Sequence, residues 1–142
     1  MLILLFIFEL ILFVWFLGCT ITYKFGKHTL VEGMGTRSAE FAMLLIYATC
    51  FLFTMLYPNI GQWGVLLILL FWIIIQFFCH WYYTIFGASD VKIKGYNECF
   101  RDTVRIFPQS DKKLIPDFYH IILHILILIN ITLSIVYLLF IR

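Results

Sequence analysis

The chain has 142 residues, of which 63% are hydrophobic and 13% charged, with a formal net charge of +2. Its mean hydropathy is +1.00, whereas soluble domains carry roughly 25% charged and 45–50% apolar residues. A globule this small lacks the interior to hide so much apolar surface, and no basic run of the kind that tracks nucleic acid is present. An ordinary soluble domain and a nucleic-acid partner are therefore excluded, and a lipid bilayer is the expected solvent.

The first predicted element is a transmembrane helix over 2–23. No basic residue precedes its apolar run and Glu9 lies inside it, so it reads as a retained helix rather than a signal peptide. Glu9 sits about 12 Å along that helix at 1.5 Å per residue. An ionised carboxylate at that depth is costly unless paired. Glu9 is therefore a candidate proton or ligand site, with Gln76 and Asn130 at similar depth as candidate partners.

The first loop contains Gly33-Met34-Gly35-Thr36-Arg37-Ser38. Glycine-rich backbone at a helix N-terminus with a nearby arginine suits a phosphate. Gly33, Gly35 and Arg37 are thus a candidate contact for an anionic lipid headgroup, with no Walker pattern to suggest a nucleotide. Thr36 and Ser38 are candidate caps for a second helix over 39–57, with Glu40 in its first turn. Ala42, Ala48 and Thr49 make that helix the candidate for close helix packing. Pro58-Asn59-Ile60-Gly61 reads as a tight turn into a third helix over 63–86, which carries Gln76 and His80.

In the third loop, Tyr96, Phe100, Val104 and Phe107 recur at helical spacing among polar residues. They predict an amphipathic interfacial helix over 95–107, either a structural linker or a docking surface for a cytoplasmic partner. The fourth transmembrane helix is expected over 117–141, with Pro116 at its start and Asp117 complementing its dipole. His120 and His124, four residues apart, share a face with Asp117 one turn earlier. His80 and His124 lie roughly 9–10 Å from the same end of their helices. If the third and fourth helices are neighbours, His80, His120, His124 and Asp117 can converge. Imidazoles with a carboxylate suit a transition metal, and histidines on separate helices suit haem. The HExxH glutamate, a nucleophile elbow and a serine–histidine–acid order are all missing, so the sequence leaves open whether the protein is an enzyme.

Nine of the ten Lys and Arg residues fall in the first and third loops, and only Arg142 lies beyond the other face. The positive-inside rule then places those two loops in the cytoplasm and both termini outside. Trp81 and Tyr119 are expected in the cytoplasmic aromatic belt. The four cysteines are scattered without metal spacing and read as small hydrophobes.

The expected architecture is an all-α polytopic integral membrane protein, a four-transmembrane-helix bundle forming one domain. The expected function is transport or channel-like, or that of a non-catalytic subunit of a membrane complex. The protein would assemble with itself or with other membrane subunits, around a polar site open to the cytoplasm. The alternative is a membrane-embedded metal- or haem-binding redox protein using His80, His120 and His124. One glutamate in the first of four helices resembles the plan of the small multidrug resistance transporters. The resemblance is architectural only: bulky Phe6, Leu10 and Phe13 flank Glu9, and the one-sided charge departs from dual topology.

Overall fold

A computed structural model describes residues 1–141 of the chain; Arg142, the one basic residue assigned to the far face, lies outside them. Helix α1 (Leu2–Leu17) leads through a 3-10 turn at Gly18–Thr20 into a hairpin of β1 (Tyr23–Phe25) and β2 (His28–Val31). Helix α2 (Ala39–Leu56) is followed by α3 (Pro58–Gln76), a π-helical turn at Phe77–Trp81 and α4 (Tyr82–Phe86), which together form one rod. Helix α5 (Asp90–Cys99) lies in the third loop, and α6 (Phe118–Val136) ends in a second π turn, Tyr137–Ile141.

Among the described residues, four helical segments are long and apolar enough to cross a membrane: Leu2–Thr20, Ala39–Leu56, Pro58–Phe86 and Phe118–Phe140. They close a ring in which α1 touches α2, α2 touches α3, α3 touches α6, and α6 returns to α1. The outer faces carry exposed Ile3, Val14, Leu52, Leu67 and Phe78, while Glu9, Gln62, Asn130 and Ser134 are buried. Apolar outside and polar inside is the arrangement a hydrocarbon solvent selects, since polar groups there must find partners within the protein. One end of the bundle is the turn end, where α2 meets α3. The other is the loop end, which holds the hairpin and α5.

Several local expectations are corrected. The first helix stops at Leu17 rather than running to 23, and the first loop is a β-hairpin, so the fold is not wholly α-helical. A β-carbon on Gly18 would come to 3.0 Å from the Tyr119 ring, so the close seat of α6 favours glycine where α1 ends. The third helix begins at Pro58, not 63. Proline suits the first helical position, and the reversal needs only Tyr57 between α2 and α3. Gly61 is in the first turns of α3 and packs on α2, where a β-carbon would lie 2.4 Å from the Thr54 nitrogen. Gly64 packs less tightly, facing the Cys50 side chain, whose sulfur would lie 3.2 Å from an added β-carbon. Close packing of this pair thus runs through the glycines of α3, while Ala42 and Thr49 of α2 are exposed.

The third-loop helix is Asp90–Cys99, not 95–107. The helix does not continue through 102–104 because β2 claims their backbone: Thr29 N–H donates to the Asp102 carbonyl at 2.8 Å, and Val104 N–H donates to the Thr29 carbonyl at 3.0 Å. The first and third loops are thereby joined at one end of the molecule. The fourth helix begins at Phe118, with Asp117 as its N-cap. Ser38, not Thr36, caps α2, its hydroxyl accepting from Phe41 N–H at 3.2 Å.

Candidate functional site

The buried polar side chains fall into two groups. The turn-end group is built on the buried stripes of α1, α3 and α6. Glu9 is 0% exposed, and neither carboxylate oxygen has a hydrogen-bond partner among the described residues. Gln62 is its polar side-chain neighbour. The Gln62 amide donates to Ser134 Oγ at 2.6 Å, and that hydroxyl donates to the Asn130 carbonyl at 2.7 Å. The Asn130 side-chain amide donates to the backbone carbonyls of Phe8 and Leu126, leaving its own Oδ1 buried without a partner. Tyr47 completes the group from α2 by donating to the Glu9 backbone carbonyl at 2.9 Å.

Of the predicted middle group, the structure keeps Glu9 and Asn130 in neighbouring helices and places Gln76 elsewhere. Gln62, which a loop reading of 58–61 leaves at the margin, takes its place. The signal was present: Gln62, Leu69 and Gln76 recur every seven residues and so lie on one helix face.

The loop-end group forms where the π turn presents successive residues to the same side. A π turn is wider than an α turn and is frequently found at functional sites. Here it directs Gln76, His80 and Trp81 together toward α6. Thr84 braces it by donating its hydroxyl to the carbonyls of His80 and Leu114. Ring centroids of His80 and His120 are 4.4 Å apart, those of His80 and His124 are 5.6 Å apart, and those of His120 and His124 are 6.3 Å apart. The three histidines therefore do meet.

Their hydrogen bonds assign their forms. Trp81 Nε1–H, which can only donate, reaches His124 Nδ1 at 2.8 Å, so His124 carries its hydrogen on Nε2 and donates to Gln76 Oε1 at 3.2 Å. His120 Nδ1 lies 2.7 Å from Asp117 Oδ1, which also accepts from the His120 backbone N–H at 2.9 Å. His80 Nδ1 lies 3.2 Å from the Tyr96 hydroxyl on α5. Burial, reinforced by the charge of Asp117, holds that phenol above the ordinary tyrosine range, so it remains an O–H. Arg105 lies over the Tyr96 ring and spends its guanidinium on the carbonyls of Phe100 and Ile115. Trp81 and Tyr119, expected in the aromatic belt, turn their polar groups into the protein. Trp81 serves His124, and Tyr119 is buried with its hydroxyl donating to the Trp15 carbonyl at 2.9 Å.

Beside this group lies a cavity of about 190 Å³, lined in part by His80, His120, Tyr96, Tyr119, Glu32 and Glu40. Between the two polar groups the interior is apolar: Leu12, Phe16, Leu69, Trp72, Leu123 and Ile127 are at most 3% exposed. Phe16 stacks on Trp72 with ring centroids 6.0 Å apart.

Meeting does not make these histidines a metal or haem site. Both ring nitrogens of His124 are committed to protein partners, so it has no lone pair to offer. Among the described residues no three His, Cys, Asp or Glu side chains have an arrangement that holds a metal ion. The adjoining cavity is below the roughly 300–1,000 Å³ typical of cofactor-sized pockets, and the His80 and His120 rings leave no slot for a porphyrin between them.

The predicted headgroup contact is used structurally. Gly33 packs on the Ile21–Thr22 backbone, where a β-carbon would fall 2.4 Å from the Ile21 carbonyl carbon, and its N–H donates to Thr22 Oγ1. Gly35, at φ +76°, accepts the Ser38 hydroxyl on its carbonyl at 2.8 Å and so shapes the start of α2. Arg37 is exposed.

These features define a predominantly helical chain with four helices long and apolar enough to cross a membrane and two polar groups in its interior. Comparison with protein-family models, curated proteins and solved structures finds no match.

Proposed function

We propose that the chain is a small integral membrane protein of the transport kind, carrying protons between two interior stations. Glu9 is the station of the turn end, and the His80–His120–His124 group is that of the loop end. The observation that supports this is the burial of both polar groups on either side of an apolar plug. An open channel needs a continuous wet path, and Leu12, Phe16, Leu69, Trp72 and Ile127 interrupt it. Two polar stations around a closed barrier suit alternating access, in which the barrier moves relative to bound solute. The loop end would face the cytoplasm by the positive-inside rule. Four helices of this length enclose a narrow interior, so assembly with a second copy or with other membrane subunits fits the proposal. A metal- or haem-based redox function is disfavoured by the commitment of both His124 nitrogens.

The test is proton movement into liposomes containing the purified protein and a trapped pH-sensitive dye. Protein-dependent movement is expected, with at least a tenfold loss in Glu9→Gln, which keeps side-chain shape but cannot cycle a proton. Equal rates in the two proteins would remove Glu9 from the mechanism.

A further inference from the structure

Glu9 lies on the buried stripe of α1 between Leu5 and Leu12, and all three are 0% exposed. The helices around it contribute polar groups of their own: Tyr47 from α2, Gln62 from α3, Asn130 and Ser134 from α6. Of these only Tyr47 is titratable, and none is cationic. Among the described residues the one ion pair is Asp117 with His120, at the other end of the bundle. A carboxylate at position 9 therefore has no counter-charge among them.

The hydrogen-bond donors of this group are nearly all used. The Tyr47 hydroxyl donates to the Glu9 backbone carbonyl, and the Ser134 hydroxyl donates to the Asn130 carbonyl. The Asn130 amide donates to the carbonyls of Phe8 and Leu126. That pair of bonds fixes its orientation, because a flipped amide would set its oxygen against two carbonyl oxygens. Phe8 directly precedes Glu9, so the same bond holds the Asn130 amide at the level of Glu9. Gln62 donates one N–H to Ser134 and has one to spare. Against that single donor stand three buried oxygens without a partner: Glu9 Oε1, Glu9 Oε2 and Asn130 Oδ1.

A proton on Glu9 supplies the missing donor in one state. Transport requires a second state in which that proton has left. An ionised carboxylate and a bare amide oxygen would then be buried together in an apolar span, which a hydrocarbon interior penalises heavily. A cation in the proton's place removes both costs. Its charge must be +1, because a divalent ion would keep a net charge beside a single carboxylate. Oxygen ligands suit hard ions rather than soft transition metals. The ion must also be small, because Leu5, Leu12, Tyr47 and Gln62 close around Glu9 and are at most 1% exposed.

We infer that Glu9 and Asn130 form a sodium-ion site, with Glu9 Oε1, Glu9 Oε2 and Asn130 Oδ1 as its protein ligands. The inference rests on the transport reading above and names the ion that replaces the proton at its turn-end station. One sodium ion enters as one proton leaves, so the site stays neutral, and no covalent step is required.

The test uses the full chain in detergent and dicyclohexylcarbodiimide, an apolar reagent that modifies protonated carboxyl groups, followed by mass spectrometry of the peptide carrying Glu9. Glu9 is expected to be modified in potassium chloride, and sodium chloride at equal ionic strength should slow the modification at least tenfold. Asn130→Leu, which removes the amide oxygen, should remain reactive and lose most of the protection. Glu98→Gln, on the exposed face of α5, should keep it. The comparison of sodium with potassium on the unmodified protein stands even if a variant fails to fold. Equal modification in the two salts, stronger protection by calcium than by sodium, or full protection in a folded Asn130→Leu protein would overturn the inference. Sodium protection and proton flux are separate readouts. Glu9-dependent proton flux without sodium protection would sink the sodium site and leave the transport reading standing; sodium protection without protein-dependent flux would do the reverse.

Discussion

Asp117 performs two tasks with one oxygen. Its Oδ1 caps α6 through the His120 backbone N–H and orients the His120 ring through Nδ1. Removing the carboxylate in Asp117→Ala is expected to cost about 1 kcal/mol of stability, as for other lost N-caps. Asp117→Asn keeps an acceptor for the cap and should stay within a few tenths of wild type. Thermal unfolding in detergent checks both, and an equal loss in the two variants would show that charge, not capping, is what matters. The spacing of Asp117, His120 and His124 makes their common face legible in sequence. What was not legible is that Trp81 would occupy His124 Nδ1, because nothing in Phe77–Trp81 marks a π turn. Without that turn Trp81 points to the membrane interface and His124 remains open to a metal. Glu32 and Glu40 do not stand out as cavity residues in sequence for another reason: they are ordinary loop and first-turn acids until the fold brings both to one cavity.

At the scale of elements, the uniform apolarity that announces four spans also erases their faces. A helix that is hydrophobic all round gives no moment to say which side is inside. The few polar residues do say it: Glu9, Gln62, Gln76, His124, Asn130 and Ser134 all lie on buried stripes. The ends were less legible because glycine and proline are ambiguous there. Pro58 and Gly61 read as a turn, yet serve as a helix start and a close-packing site. Two glycine substitutions should therefore act with opposite signs. Gly61→Ala forces a β-carbon into the α2 backbone and is expected to destabilise by about 1–3 kcal/mol, the range for overpacking. Gly95→Ala, in α5 with nothing within 4 Å of the added carbon, is expected to stabilise by roughly 0.5–1 kcal/mol by favouring the helix. Denaturant or thermal unfolding of the two variants side by side measures this. A matching sign would contradict the packing described. The third-loop helix is hard to place from sequence because Tyr96, Phe100, Val104 and Phe107 keep helical spacing into a segment where the backbone of 102–104 bonds to β2.

For the molecule as a whole, pairing of Thr29 with residues 102–104 joins the two basic loops at one end, the end that the positive-inside rule would put in the cytoplasm. Cys99, exposed at the end of α5, reports the assignment. Burial around its sulfur, with the charges of Glu32 and Asp117, holds the thiol above its ordinary value, so the reactive thiolate is favoured by alkaline solution. A membrane-impermeant maleimide applied at alkaline pH should label Cys99 only after the membrane is permeabilised. Labelling of intact cells would invert the topology.

The central claim is a closed barrier between two polar stations, and Trp72 is its largest member on α3. Proton movement into protein-containing liposomes over a range of imposed pH gradients tests it most directly. Wild type should move protons at a slow rate that saturates with the gradient, as a closed barrier that must rearrange requires. Trp72→Ala should pass them at least tenfold faster and without saturation, because the cavity left by the indole opens a path between Glu9 and the histidines. A wild-type rate that rises in proportion to the gradient, or a Trp72→Ala variant no faster than wild type, would contradict the account.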